Sequence, residues 1–262
     1  MNDLPPADWP TLLGGGRAPR TGLGHAVVYE PVTTSTMDMA ERALARGPVR
    51  AGTVFLAGRQ TQGRGTSDRR WESDEGGLWQ TIVFDAPERA GKAPIVFLSG
   101  VAVSAMLGRY GIDAWPKWVN DVIAGGRKIA GTLVRLVGRH FLVGIGLNVN
   151  QERLRGEATS AGVSMRMLTG RAYPLAEVWA DVVRALQEEY DRPEPLLPRM
   201  REACRMLGQT FVAVHARDGR ERELTVLGID DAGHLHVRWT DGGEEVWHSP
   251  DPWRIRPEPV VR

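Results

Sequence analysis

Residues 114 to 150, AWPKWVNDVIAGGRKIAGTLVRLVGRHFLVGIGLNVN, restrict the fold of this chain more than any other stretch. Apolar residues dominate it, and glycines stand where hairpins turn, at Gly125-Gly126 and Gly138-Arg139. The segment reads as consecutive strands forming an antiparallel meander.

The elements around that meander follow from the same signals. HAVVYEPV reads as a strand, and TTSTMDMAERALARGP as a helix with Ser35 at its N-cap, Asp38 three residues on and Gly47-Pro48 as its stop. Strands are expected at 52–59 and 76–85, where β-branched and aromatic residues gather. A central helix over 93–111 should turn Ile95, Leu98, Ala102, Ala105 and Met106 to the core, and another over 174–190 carries Leu175, Val178, Trp179, Val182, Val183 and Leu186 on one stripe. DRPEPLLP then interrupts the chain, and from Gly208 short strands alternate with RDGR, DDAG and TDGG. The expected organisation is an irregular arm (1–24), a large α/β (α+β) domain (25–200) with a mixed, largely antiparallel sheet flanked by helices, and a small β-domain (205–262).

Charge and cysteine content exclude several functions. The 33 Lys and Arg against 32 Asp and Glu leave a net charge of +1, so no global field grips duplex DNA and local arginine clusters need local reasons. A single cysteine, Cys204, excludes an internal disulfide, and no apolar run of membrane-spanning length occurs. The expected compartment is the cytoplasm. The arm before residue 25 is too short for a winged-helix domain, so no DNA partner and no membrane partner are expected.

Two clusters carry chemistry. GRQTQGRGTSDRRWES (58–73) packs three glycines and four arginines into a loop between strands. Gly63 and Gly65 let backbone approach a ligand, while Arg64, Arg69 and Arg70 offer donor forks for phosphate or carboxylate and Trp71 a flat stacking face. A solvated loop would have the same composition. The second cluster is Lys117, Asn120, Asp121, Arg127 and Lys128, in which Lys128 borders an apolar run and can act as a point charge in an enclosed site. Asn120 and Asp121 could equally organise a turn, and Asn148 could meet a ligand or cap a strand end. His234 and His236 alternate onto one strand face, and Trp239, Trp247 and Trp253 sit at strand spacing; a plain surface pair and core aromatics account for both.

TSTMD (34–38), QTQGRGTSDRRW (60–71), GGLWQTIV (76–83), KWVND (117–121), GRKIAGTLV (126–134) and GIGLNVN (144–150) together resemble the biotin protein ligases, in order and with compatible spacing. The resemblance implies a class II aminoacyl-tRNA synthetase-like fold with a small C-terminal SH3-like β-barrel. It implies a two-step reaction in which biotin, ATP and Mg²⁺ give biotinyl-5′-AMP, which acylates a lysine of a biotin carboxyl carrier domain, and a homodimer is compatible with it. By the same resemblance Ser35, Thr36, Gln60, Arg64, Lys128 and Gly131 line the biotin pocket, with Lys128 and Arg64 as the catalytic cations. Arg69, Arg70, Trp71, Asn120, Asp121 and Asn148 fall on the nucleotide side, with Mg²⁺ near Asp121 and no all-protein metal site. A ligase without repressor activity is expected.

Three departures stand out. Thr66, Ser67 and Asp68 replace part of the family's arginine and glycine pattern, which implies a looser lid over the adenylate unless Arg69 or Arg70 substitutes. Val119 stands at a usual proline and Met37 at a frequent asparagine. The competing readings are a lipoate or octanoate ligase of the same fold, for whose thioester branch Cys204 lies in the wrong region, and a non-catalytic biotin-binding sensor.

Overall fold

The structure is a computed structural model that describes residues 22–66, 69–86, 93–154 and 162–260. Residues 1–21 of the expected arm, and Ser67 and Asp68 of the lid, lie outside the described residues.

Strands β1 (Ala26–Thr33), β2 (Thr53–Gln60), β3 (Leu78–Asp85), β4 (Ala114–Lys117), β5 (Asp121–Ala124), β6 (Arg127–Val137) and β7 (His140–Leu147) form one sheet in the order β1-β2-β3-β7-β6-β5-β4. The pair β1–β2 is parallel and the other pairs are antiparallel. A parallel pair needs a long crossover, and helix α1 (Thr36–Arg46) supplies it. Antiparallel neighbours need only tight turns, and Gly125, Gly126 and Gly138 adopt the positive φ that those turns require. The Trp118–Val119 peptide in the turn from β4 to β5 is cis.

Ser35 caps α1 as expected, its Oγ accepting the Met37 N–H at 3.2 Å. Asp38 does not complete a capping box; its carboxylate instead accepts the Thr34 hydroxyl at 2.7 Å and pairs with Arg64. Helix α1 lays Met37, Met39 and Ala40 on one face of the sheet, against Phe55, Val83 and Leu142.

The opposite face, with Val54, Leu56, Ile82, Phe84 and Val143, packs on α2 (Ala93–Arg109) and α4 (Leu175–Tyr190); the short α3 (Met165–Thr169) precedes α4. Leu98, Ala102, Val103 and Met106 of α2 face this core. Phe97 and Val101 face a second one, which explains why α2 is apolar nearly all round. Ala105, expected in the core, lies on the remaining exposed face.

The second core lies under an antiparallel sheet of β8 (Thr210–His215), β9 (Glu221–Ile229), β10 (Leu235–Trp239), β11 (Glu244–Trp247) and β12 (Trp253–Pro259), in the order β11-β10-β9-β8-β12. Phe211, Leu224, Val226, Leu235, Val237 and Trp239 meet Met200 of α5 (Leu196–Ala203), Met206, Phe97 and Trp118 there. Trp118 donates its indole N–H to the Gly233 carbonyl at 3.0 Å. That turn is fixed by Asp230, whose Oδ1 accepts the Ala232 and His234 N–H groups. Its Oδ2 meets His234 Nδ1 at 3.2 Å and His236 Nε2 at 3.1 Å, so the histidine pair braces a turn. The His234 N–H, first among these bonds, holds the Asp230 carboxyl well below its ordinary value.

Candidate functional site

The face of the large sheet that carries α1 continues past that helix as the floor of a cavity of about 790 Å³. Strand register sets the floor in two cross-strand rows, Thr81–Gly144–Leu133 and Gly146–Gly131–Asp121. Glycine is required where the wall above comes close. A Cβ on Gly146 would lie 2.5 Å from Trp71 Nε1, and one on Gly131 would lie 2.9 Å from Lys128 Cε and 3.1 Å from Trp71 Cζ3.

One end of the cavity is polar. Gln60 Oε1 accepts the Thr36 N–H at 2.8 Å and the Thr36 hydroxyl at 3.2 Å, while its Nε2 donates to Ser73 Oγ at 2.8 Å, so the amide is oriented from both sides. The hydroxyls of Thr36 and Thr81 lie 2.9 Å apart. Ser35 lines this end, but its side chain serves the helix cap.

The arginine loop forms the wall. Gly63, expected from the sequence to let backbone approach a ligand, does not do so; a Cβ there would collide with Ser73 Oγ and the Trp71 carbonyl oxygen, so its bareness lets the loop close on itself. Gly65 likewise faces Arg69 of its own loop, 3.3 Å from its carbonyl oxygen. Arg64 pairs with Asp38 at 2.6 Å. Arg69 donates to the Thr66 carbonyl at 3.0 Å and to Thr66 Oγ1 at 2.5 Å, which latches its guanidinium to the residue standing in the lid. Arg70 is exposed and reaches the Thr61 carbonyl at 3.2 Å. The Trp71 indole lies on the glycine floor with Lys128 Nζ 4.8 Å from its ring, and among the described residues its buried Nε1 has no acceptor.

The charged centre is a lysine–aspartate–lysine cluster. Asp121 Oδ1 lies 2.5 Å from Lys128 Nζ and Oδ2 lies 3.8 Å from Lys117 Nζ. Burial pushes the Asp121 carboxyl upward, but Lys128 and then Lys117 outweigh it and hold the group below its ordinary value. Burial dominates at Lys117, only 8% exposed, and lowers its ammonium despite Asp121. Asn120 folds back on the sheet, its Nδ2 donating to the Thr132 carbonyl at 2.7 Å. Asn148, on the cavity wall but 4% exposed, donates to the Val163 carbonyl at 3.1 Å and so fastens the chain after β7.

The structure thus gathers Ser35, Thr36, Gln60, Arg64, Arg69, Arg70, Trp71, Asn120, Asp121, Lys128, Gly131 and Asn148 around one cavity. Arg127, in the sequence cluster with Lys128, is not on its wall. Sequence reasoning missed Asp38 as the partner of Arg64, gave Lys117 no role, and left out the roof, where Trp253, Arg254 and Ile255 of β12 line the cavity. No local signal links β12 to residues 64–148. Among the described residues, no group of three or more His, Cys, Asp or Glu could hold a metal ion.

A model of the family described as "Biotin/lipoate A/B protein ligase family" matches residues 29–152. The bifunctional ligase/repressor BirA of Bacillus spizizenii is 27% identical over 243 residues, 87% of this chain and 74% of that protein. The biotin–protein ligase of Homo sapiens is 28% identical over 250 residues, 87% of this chain but 34% of that protein. Among solved structures, the biotin protein ligase of Aquifex aeolicus in complex with biotin and ATP superposes with a TM-score of 0.73 at 24% identity, covering 88% of this chain and 98% of that one. At that identity the likeness speaks for the fold.

Proposed function

From the membership of residues 29–152 in the biotin/lipoate A/B protein ligase family, we propose that this protein is an ATP-dependent biotin ligase acting on a lysine of a biotin carboxyl carrier domain. The observation that carries the reading is a single cavity joining an oriented amide and hydroxyl end, at Thr36, Gln60 and Thr81, to the Lys117–Asp121–Lys128 centre. The relatives named as biotin–protein ligases, and the Aquifex aeolicus enzyme seen with biotin and ATP, support the choice of substrates.

In this reading the ureido ring of biotin meets Thr36 and Gln60, and its carboxylate lies toward Lys128 and Arg64. The carboxylate oxygen attacks the α-phosphorus, the bond from that phosphorus to the bridging oxygen breaks, and pyrophosphate leaves. Two anions approach in that step, and fixed ammonium and guanidinium groups offset their repulsion. The acceptor amine then attacks the acyl carbon and AMP departs. Trp71 offers adenine a stacking face and an unengaged N–H, and Arg69, Arg70 and Arg254 surround the polyphosphate. Mg²⁺ would be held mainly by phosphate oxygens, with Glu72 and Asp121 the carboxylates on the cavity wall and Asp121 already shared between Lys128 and Lys117.

Thioester transfer through Cys204 fits poorly. The thiol is 5% exposed in the second core, and burial pushes its ionisation up, against thiolate formation. The deciding experiment is exchange of labelled pyrophosphate into ATP, with biotin, lipoate and octanoate in parallel and Lys128→Ala as control. Exchange with biotin alone, lost in the variant, is the expected result; exchange only with lipoate or octanoate would transfer the protein to that branch of the family.

A further inference from the structure

The polar end of the cavity is closed by something apolar. Met37, the second residue of α1, is 2% exposed and belongs to the cluster under the helix, yet it also forms cavity wall. Its backbone N–H is tied to Ser35 Oγ, which fixes the start of the side chain. Its far end rests on Gly144: a Cβ there would lie 3.1 Å from Met37 Cε, 3.5 Å from the Leu133 carbonyl and 3.6 Å from Thr81 Oγ1. A ligand head in this end therefore meets Thr36, Thr81 and Gln60 on one edge and a thioether with Leu133 on the other.

We propose that Met37 and Gly144 form the depth stop of the head-group pocket, selecting a ring system with one hydrogen-bonding edge and one soft, unsubstituted apolar edge. This rests on the biotin-ligase reading and adds to it a determinant of which ring is accepted. The bare α-carbon of Gly144 leaves room for the methionine methyl group, and the methyl group sets how far a ring can enter. Methionine suits such a wall because its unbranched thioether fills irregular space. A bulkier ring edge would have to displace a side chain already packed against Phe55 and Val83.

The test is calorimetric binding of biotin, desthiobiotin, which lacks the sulfur and the second ring, and biotin sulfone, which adds two oxygens at the apolar edge. Wild-type protein, Met37→Ala, Met37→Leu and Gly144→Ala are compared, with ATP affinity measured on each and melting temperature reporting the fold. In Met37→Ala the sulfone should gain about tenfold relative to biotin, within the discrimination a small change in an apolar pocket supports. Gly144→Ala pushes the methyl group inward and should weaken biotin about tenfold but desthiobiotin less, and Met37→Leu, of similar volume, should keep the wild-type order. ATP affinity should be unchanged throughout. An unchanged sulfone-to-biotin ratio in Met37→Ala, or equal losses of biotin and ATP affinity in Gly144→Ala, would overturn the depth stop while leaving the ligase reading intact. If wild-type protein binds none of the three, both fall together.

Discussion

Replacing Asp121 by asparagine removes the one carboxylate that holds two lysines in the cavity. Lys117 Nζ lies 3.8 Å from that carboxylate and Lys128 Nζ 2.5 Å, with Lys117 almost enclosed and Lys128 still partly hydrated. At about 4 Å and an effective dielectric near 20, opposite unit charges attract by roughly 4 kcal/mol, part of which offsets desolvation. Removing one partner of a buried pair costs about 3–5 kcal/mol, and water around Lys128 places this case near 3. For a chain of this size that corresponds to a fall in Tm of roughly 6–12 °C. The pH dependence has a definite sign. Asp121 is lowered, so its stabilisation is present above the ordinary carboxyl value of 3.8 and is lost as pH falls through its lower folded value. Lys117 is lowered too, so its cost is in place at neutral pH and eases as pH rises through its folded value toward 10.5. Without Asp121, Lys117 falls further, and the deficit of the variant should shrink between neutral pH and about pH 10. Urea unfolding of wild type, Asp121→Asn, Lys117→Met and the double variant forms a complete cycle. The double variant should recover at least half of the Asp121→Asn loss. A loss in the single variant below about 0.5 kcal/mol, or no recovery in the double, would refute the coupling.

Gly146→Ala places a methyl group 2.5 Å from Trp71 Nε1 and should displace the indole. Nucleotide affinity should fall about tenfold, or 1.4 kcal/mol, with biotin affinity unchanged, and equal calorimetric losses of both would contradict the assignment of Trp71. Thr66→Ala strips the hydroxyl bond from the Arg69 latch, leaving only the bond to the residue 66 carbonyl, and should raise biotinylation of bystander lysines severalfold in the presence of biotin and ATP. Unaltered labelling of an unrelated protein would show that Arg69 does not retain the intermediate. Trp118→Phe keeps the ring in the second core but strips the donor from the Gly233 carbonyl, and should cost about 1–3 kcal/mol in urea unfolding. A loss within error would mean that water replaces the indole.

What the sequence discloses, and what it hides, follows from the range over which each contact is made. The turns at Gly125-Gly126 and Gly138 and the cap at Ser35 are local events, and the residues that make them are neighbours in the chain. The cavity residues were legible because their motifs occur in the same order and spacing as in a family; composition alone left Lys128 and Asn148 undecided. The roles of the loop glycines were not legible, because Gly63 answers to Ser73 and Trp71, whose positions depend on the whole loop. Helical spacing alone points Ala105 inward, yet α2 buries two faces and leaves a third to solvent. The pair Arg64–Asp38 and the β12 roof are joined only by tertiary structure, to which no periodicity points.

The bond from Trp118 to Gly233 spans 115 positions of sequence and stands between the cavity lysine Lys117 and the turn that begins β10. Because Trp118, Phe97 and Val101 share one core with the smaller sheet, that sheet and the strand ends beside Asp121 are expected to open as one cooperative unit. In hydrogen exchange the amides of β9 and β10 and those around residues 117–121 would lose protection at a common free energy. A lesion in the last thirty residues would then surface as faster exchange at a motif more than a hundred residues upstream.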